Sequence, residues 1–177
     1  MSHTIAAVST GSQISAIGII RLSGDDCAQI TETVFKLNNG TCLSNAPNRK
    51  LMLGDLHDKD GRVIDQCMAV YSRGPHSYTG EDTVEFQCHG SPAVLAAGLE
   101  ALYIAGAKPA KRGEFTKRAF LNGKLALTQA EAVIDLIEAD TADAAANAAG
   151  QVGGVLQKKL NPIYNTLTDL CSHSCSF

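Results

Sequence analysis

The chain has 177 residues, 45% of them hydrophobic and 19% charged, with a net charge of -3. That is room for one domain, or for one domain and a fragment of another, burying roughly 70% of the unfolded surface without staples. The acidic balance excludes a chain that coats nucleic acid nonspecifically, because such binding takes many Lys and Arg to displace counterions from phosphates.

Thr4 to Ser9 reads as a short apolar strand and Thr10-Gly11-Ser12 as a turn. Ile17 to Leu22 is β-branched and apolar, a buried strand that nevertheless carries Arg21. After the turn at Ser23 to Asp26, the segment to Lys36 is predicted helical from the spacing of Cys27, Ile30, Val34 and Leu37. Leu37 to Lys50 has no clear period and reads as loop. Lys50 to His57 and Val63 to Tyr71 are strands, and Asp58-Lys59-Asp60-Gly61 joins them as an antiparallel hairpin. Arg73 to Glu81 is a polar loop with Gly and Pro breakers. Thr83 to Cys88 alternates, with Thr83, Glu85 and Gln87 on one face and Val84, Phe86 and Cys88 on the other. Ser91 and Pro92 start a helix whose stripe is Val94, Leu95, Leu99, Leu102 and Tyr103, and Gly106 closes it.

Lys111 to Lys124 then gathers five of the fifteen basic residues into fourteen positions, around Ala119, Phe120 and Leu121 and a turn-forming Asn122-Gly123. Thr128 to Glu131 has the form of a capping box opening a helix with Ala130, Val133, Ile134 and Ile137 on one face. Ala139 to Ala149 is a thin Ala-rich helix, Gly150 and Gly153-Gly154 mark a break, and Val155 to Leu170 resumes helical spacing. Strands mixed with helices, then helices alone, predict an α+β domain with a mixed sheet and flanking helices at 1–122, and the first helices of an incomplete all-α domain at 123–177. The terminal helices cannot bury a core by themselves. Their apolar stripes must pack on the first domain, a second copy, or chain absent here.

The opening residues lack a signal-peptide pattern, and no run of eighteen apolar residues occurs. Cys27, Cys42, Cys67, Cys88, Cys171 and Cys175 form no CxxC pair. A cytoplasmic protein with free thiols and no membrane span is therefore expected. Cys171, His173 and Cys175 are not at a usual zinc spacing and have no fourth ligand nearby, so no metal is expected. A nucleotide-binding P-loop is excluded: the only Gly-Lys, Gly123-Lys124, is followed by Leu125 and has no Gly five residues before it. Charges inside strands are costly unless paired or facing a cavity, so Arg21 and Glu85 either face solvent, pair with each other, or mark a site. His89 before Gly90 is read first as a ring hydrogen-bonded to a turn carbonyl, with a catalytic base as the alternative. Glu81-Asp82 reads as a solvated pair of acids.

IGIIRLSG, SYTGEDTVEFQCHG and GEFTKRAFLNGKLALTQAEAVIDLIEA, in that order, resemble the N-terminal part of the tRNA-modification GTPase family MnmE (TrmE). The resemblance covers residues 4 to about 172. It implies a fold similar to the folate-binding domains of aminomethyltransferases, homodimerisation, and binding of a 5-formyl or 5,10-methylene tetrahydrofolate. By motif position the folate contacts are Arg21, Glu85 and Lys124, with no catalytic residue assigned. The full-length family modifies C5 of a tRNA wobble uridine with the flavin-dependent partner MnmG (GidA). Its GTP, Mg and K belong to a Ras-like domain that this sequence lacks, so no GTP hydrolysis is expected of it alone. The early loop at Ser9 to Ser15 lacks the family's Pro- and Gly-rich stretch with an Arg; Ser91 replaces a Gly and Ala126 an Asp. The chain reads as a truncated gene product, an excised fragment or an engineered piece. Two other readings stand beside it: a dimerisation module that uses no ligand, and a freestanding folate-dependent one-carbon transferase with His89 as its acid or base. The basic cluster also permits weak tRNA binding.

Overall fold

The computed structural model describes residues 3–11 and 13–174. It contains two compact units, Met1–Arg118 and Ala119–Phe177.

The first unit is built on a seven-stranded mixed sheet. Its strands are β1 (Ile5–Val8), β2 (Ser15–Ser23), β3 (Phe35–Leu37), β4 (Leu51–His57), β5 (Val63–Ser72), β6 (Thr83–Gly90) and β7 (Lys108–Pro109). They lie in the order β3-β4-β5-β6-β2-β1-β7. Only β7 runs parallel to its neighbour, β1; the other pairs are antiparallel. Alternation assigns the faces. Ile20, Leu22, Val84, Phe86 and Ala69 point to one side and are fully buried. There they meet α1 (Cys27–Val34) and α2 (Pro92–Ile104), which contribute Ile30, Val34, Leu95 and Leu102 to the same core. Phe35 and Phe86 cross edge to face, 5.2 Å between ring centres. A helix can lie this close to the sheet because Gly98 faces it: a Cβ there would stand 2.7 Å from Ile20 Cδ1.

The helix predicted to run on to Lys36 stops at Val34. Phe35-Lys36-Leu37 turns extended and pairs with β4, Phe35 facing Leu56. Tertiary pairing here overrides a helical spacing that Leu37 happens to continue. The hairpin between β4 and β5 forms as expected: Asp58 Oδ1 accepts the Asp60 and Arg62 N–H groups at 2.9 and 2.8 Å. A short 3₁₀ turn, Leu43–Asn45, interrupts the predicted loop. Ser91 precedes α2 in extended conformation and Pro92 takes its first turn, although the Ser91 side chain makes no capping bond. Gly106, at φ 117°, ends the helix.

Helix α3 (Glu114–Leu121) carries the division between the units. The second unit continues with α4 (Leu127–Ile137), α5 (Ala142–Val152) and α6 (Val155–Ser174). Helix α4 starts one residue before the predicted capping box. Its cap is Ala126, and Gln129 Oε1 accepts the Ala126 N–H at 2.9 Å, while Thr128 sits inside the first turn. The box at Thr128 fails because an acceptor for the cap N–H already lies three residues after Ala126. Gln129 Nε2 also donates to the Val152 carbonyl at 2.7 Å, tying the start of α4 to the end of α5. Gly154, at φ 77°, turns the chain into α6. Among the described residues no helix is long and apolar enough to cross a membrane.

Candidate ligand site

Register places the first site. Arg21 on β2 lies directly opposite Glu85 on β6, and the same cross-strand row continues through Val70 and Leu51 on one side and Ala7 on the other. The row lies on the sheet face away from the core, because Ile20, Leu22, Val84 and Phe86 take the other. Arg21 Nε donates to Glu85 Oε1 at 2.7 Å, and the two side chains are 27% and 29% exposed. They pair with each other and remain within reach of solvent.

Two rings frame the guanidinium. The Tyr78 ring centre lies 5.4 Å from Arg21 Cζ and that of Phe115 lies 5.5 Å from it. Tyr78 is fixed in turn by its hydroxyl, 2.9 Å from Thr116 Oγ1. Cation–π attraction to the two rings restrains the Arg21 head without consuming its N–H donors. An exposed pair adds little to folding. What it does provide is a carboxylate and a forked donor, side by side, with aromatic walls. That combination suits a flat polar heterocycle whose edge carries neighbouring donors and acceptors.

A second arginine has a different role. Arg118 is 12% exposed and its Nη1 donates to Glu81 Oε2 at 2.9 Å and to the Ser23 carbonyl at 3.3 Å. Its Nη2 meets Glu114 Oε1 at 3.2 Å. Ser23 Oγ donates to Glu81 Oε2 at 2.8 Å and shares a hydrogen bond with Thr79 at 2.7 Å. Burial alone would raise the Glu114 pKa, but the Lys111 N–H and the Arg118 guanidinium outweigh it and hold the carboxyl below its ordinary value. Asp82 accepts the Gly74 N–H at 2.8 Å and bonds the Tyr71 hydroxyl. Burial, together with that bond to Asp82, pushes the Tyr71 phenol up. Glu81-Asp82 is therefore no solvated pair: the loop folds back over the end of the sheet and both carboxylates take buried donors. Arg118 leaves the basic cluster for the same reason.

Phe120 is exposed, and Phe115 is half-buried against Arg21. Lys111, Arg112 and Lys117 are exposed. Lys124 belongs to the second unit and is exposed too. Its N–H bonds the Ala119 carbonyl at 2.8 Å while the Gly123 N–H bonds Phe120 at 3.0 Å, which closes α3 with Gly123 at φ 67°. Among the described residues the His89 ring bonds a carboxylate rather than a turn carbonyl. Its Nδ1 lies 2.7 Å from Asp65 Oδ1, its main-chain N–H reaches Asp65 Oδ2 at 2.8 Å, and the ring is largely exposed. Cys171 is exposed on α6; Cys175 and the His173 side chain lie outside the described residues.

Known proteins share this sequence along nearly its whole length. The model of the family described as GTP-binding protein TrmE N-terminus matches residues 4–124, a span that includes Arg21, Glu85 and Lys124. The chain is 44% identical to the "tRNA modification GTPase MnmE" of Symbiobacterium thermophilum over 97% of its own length and 37% of that protein's. The Aquifex aeolicus protein of the same name is also 44% identical, over 98% of this chain and 38% of the relative. That of Thermus thermophilus matches at 44% over 98% and 40%. The chain thus spans about two fifths of the length of these relatives. With the matched segment covering well over half of its residues, the chain belongs to the family of the GTP-binding protein TrmE N-terminus.

Proposed function

We propose that this chain is the folate-binding and dimerising part of a tRNA wobble-uridine modification GTPase. The observation that carries the reading is the Arg21–Glu85 pair, 2.7 Å apart on the sheet face away from the core, with the Tyr78 and Phe115 ring centres 5.4 and 5.5 Å from the Arg21 guanidinium carbon. A reduced pterin presents an amino group and a ring N–H side by side, and one carboxylate accepts such a pair in bidentate fashion. Glu85 suits that role, because Arg21 Nε takes Oε1 and no bond to Oε2 is found among the described residues. The glutamate tail of a folate offers carboxylates to Arg21 or to Lys124, the third contact. The ligand, a 5-formyl or 5,10-methylene tetrahydrofolate, supplies a one-carbon unit when bound. Binding, orienting and shielding it fall to the chain.

Dimer formation is supported by Leu51, Leu53 and Ile17, exposed apolar residues on the same face as Arg21. The relatives' names speak only of tRNA modification and a GTPase; the remaining assignments, GTP with its Mg and K in a further domain, a flavin-dependent MnmG (GidA) partner and a cytoplasmic setting, rest on the resemblance of the sequence motifs to that family. Calorimetry with 5-formyltetrahydrofolate on the 177-residue chain tests the reading. One site per protomer is expected. Glu85→Ala removes one partner of a charge pair and should weaken binding by roughly 2–5 kcal/mol, at least about thirtyfold. Lys124→Ala should weaken it less. Absence of heat with the parent, or unchanged affinity in Glu85→Ala, would sink the proposal. A dimer that takes up no folate would leave a bare interaction module instead.

A further inference from the structure

The interior holds a second cluster of chemistry-bearing groups. Met68 faces Gln87 across β5 and β6, so Cys67 and Cys88 occupy the next row, opposite each other. Both thiols are buried on the core side, 4% and 1% exposed. Asp65, two residues before Cys67, shares that side. A carboxylate oxygen of Asp65 and the two sulfur atoms all lie within 4.8 Å of one another.

We propose that Asp65, Cys67 and Cys88 bind one thiophilic divalent ion of the zinc class. Three arguments converge. The donor set is right, since two thiolates and a carboxylate are ligands such ions accept, and a tetrahedral ion would hold them about 3.5–3.8 Å apart. Small side-chain rotations reach that spacing. The carboxylate is also already oriented: His89 donates its main-chain N–H to one oxygen and bonds the other through Nδ1. That is the outer support that metal-binding carboxylates ordinarily have. Finally, the surroundings are dry on one side and reachable from the other. Gly54 pairs with Cys67 and Gly18 with Cys88, and the space their side chains would fill is taken by Phe35 and Leu95. The exposed His89 ring marks the way in. The spacing of cysteines along the chain hides the cluster, because its ligands come from neighbouring strands rather than one loop.

The test uses the full chain, reduced and free of oxygen, with Cys42, Cys171 and Cys175 replaced by Ser. Cadmium is titrated in and thiolate-to-metal charge transfer is followed in the ultraviolet; zinc is then measured by competition. The band should saturate at one equivalent, and zinc should displace the cadmium. Cys88→Ala and Cys67→Val should each abolish the saturating band, and His89→Ala should weaken binding roughly tenfold or more. Cys67→Val preserves bulk, so it carries the comparison if Cys88→Ala fails to fold, and circular dichroism checks each variant. No band in the parent overturns the proposal, as does a band that survives either cysteine variant.

Discussion

The two units bury different things. The first has large side chains at zero or near-zero exposure, Phe86, Ile20, Leu22, Leu56 and Leu102 among them. The second buries Ala119, Ala132 and Ala148 and leaves Ile134, Ile137, Leu156, Leu160, Ile163, Leu167 and Leu170 exposed. Burial of a Leu or Ile side chain contributes about 1.5–3 kcal/mol, whereas an alanine contributes far less. The sheet unit therefore has its own core, and the helices of the second unit are held mainly by close approach and by bonds such as Gln129 to Val152. A helical pattern in sequence says that a face is apolar; it does not say that the face is covered.

The largest effect should come from emptying the core of the sheet unit. Phe86→Ala removes the ring that crosses Phe35 and should destabilise the chain by about 3–5 kcal/mol, measured as a fall in the urea midpoint with little change in slope. A loss below about 1 kcal/mol would mean that this core is not closely packed. Next comes the charged end of the same unit. The Glu114 carboxyl is depressed in the folded chain, so its contribution is present above the ordinary value of 4.5 and is lost as pH falls through the folded value. Glu114→Gln should flatten the acid limb of stability against pH, by at most ~1 kcal/mol for a partly exposed pair. An unaltered limb would remove Arg118 and Glu114 from the account of stability. The smallest effect belongs to the helical unit. Leu167→Ala on α6 should shift stability, read from the urea midpoint, by no more than about 0.5 kcal/mol. A loss several times larger would show that α6 is covered in solution and would erase the contrast.

What can be read from the sequence follows the range of the forces involved. The alternation of Thr83 to Cys88 places Glu85 correctly on the face away from the core, because strand period is a local property. Arg21 and Glu85 are legible as a conspicuous pair of charges in apolar strands. Their aromatic frame is not, since Tyr78 and Phe115 arrive from separate segments. Arg118 reads as part of a basic patch because Glu81 lies 37 residues away and Ser23 lies 95 away. The end of α1 is hidden because Leu37 fits both a helical stripe and a strand; only the partner strand decides. The start of α4 is hidden because Thr128 and Glu131 imitate a cap, whereas Ala126 has no side-chain acceptor and is capped through its backbone N–H, which Gln129 Oε1 accepts.

The direct opposition of Arg21 and Glu85 makes the alignment of two strands a ruler for the proposed ligand site. Side chains alternate with a period of two, so a one-residue slip of β2 against β6 would turn Arg21 inward and Ile20 outward at once. The hydrophobic penalty on Ile20 and Leu22 therefore guards a charge geometry to which neither residue contributes an atom. Sequence drift that kept both charges but weakened the apolar residues between them would blur the site before it unfolded the domain. Selection for ligand binding would then act on the core, at residues no ligand touches.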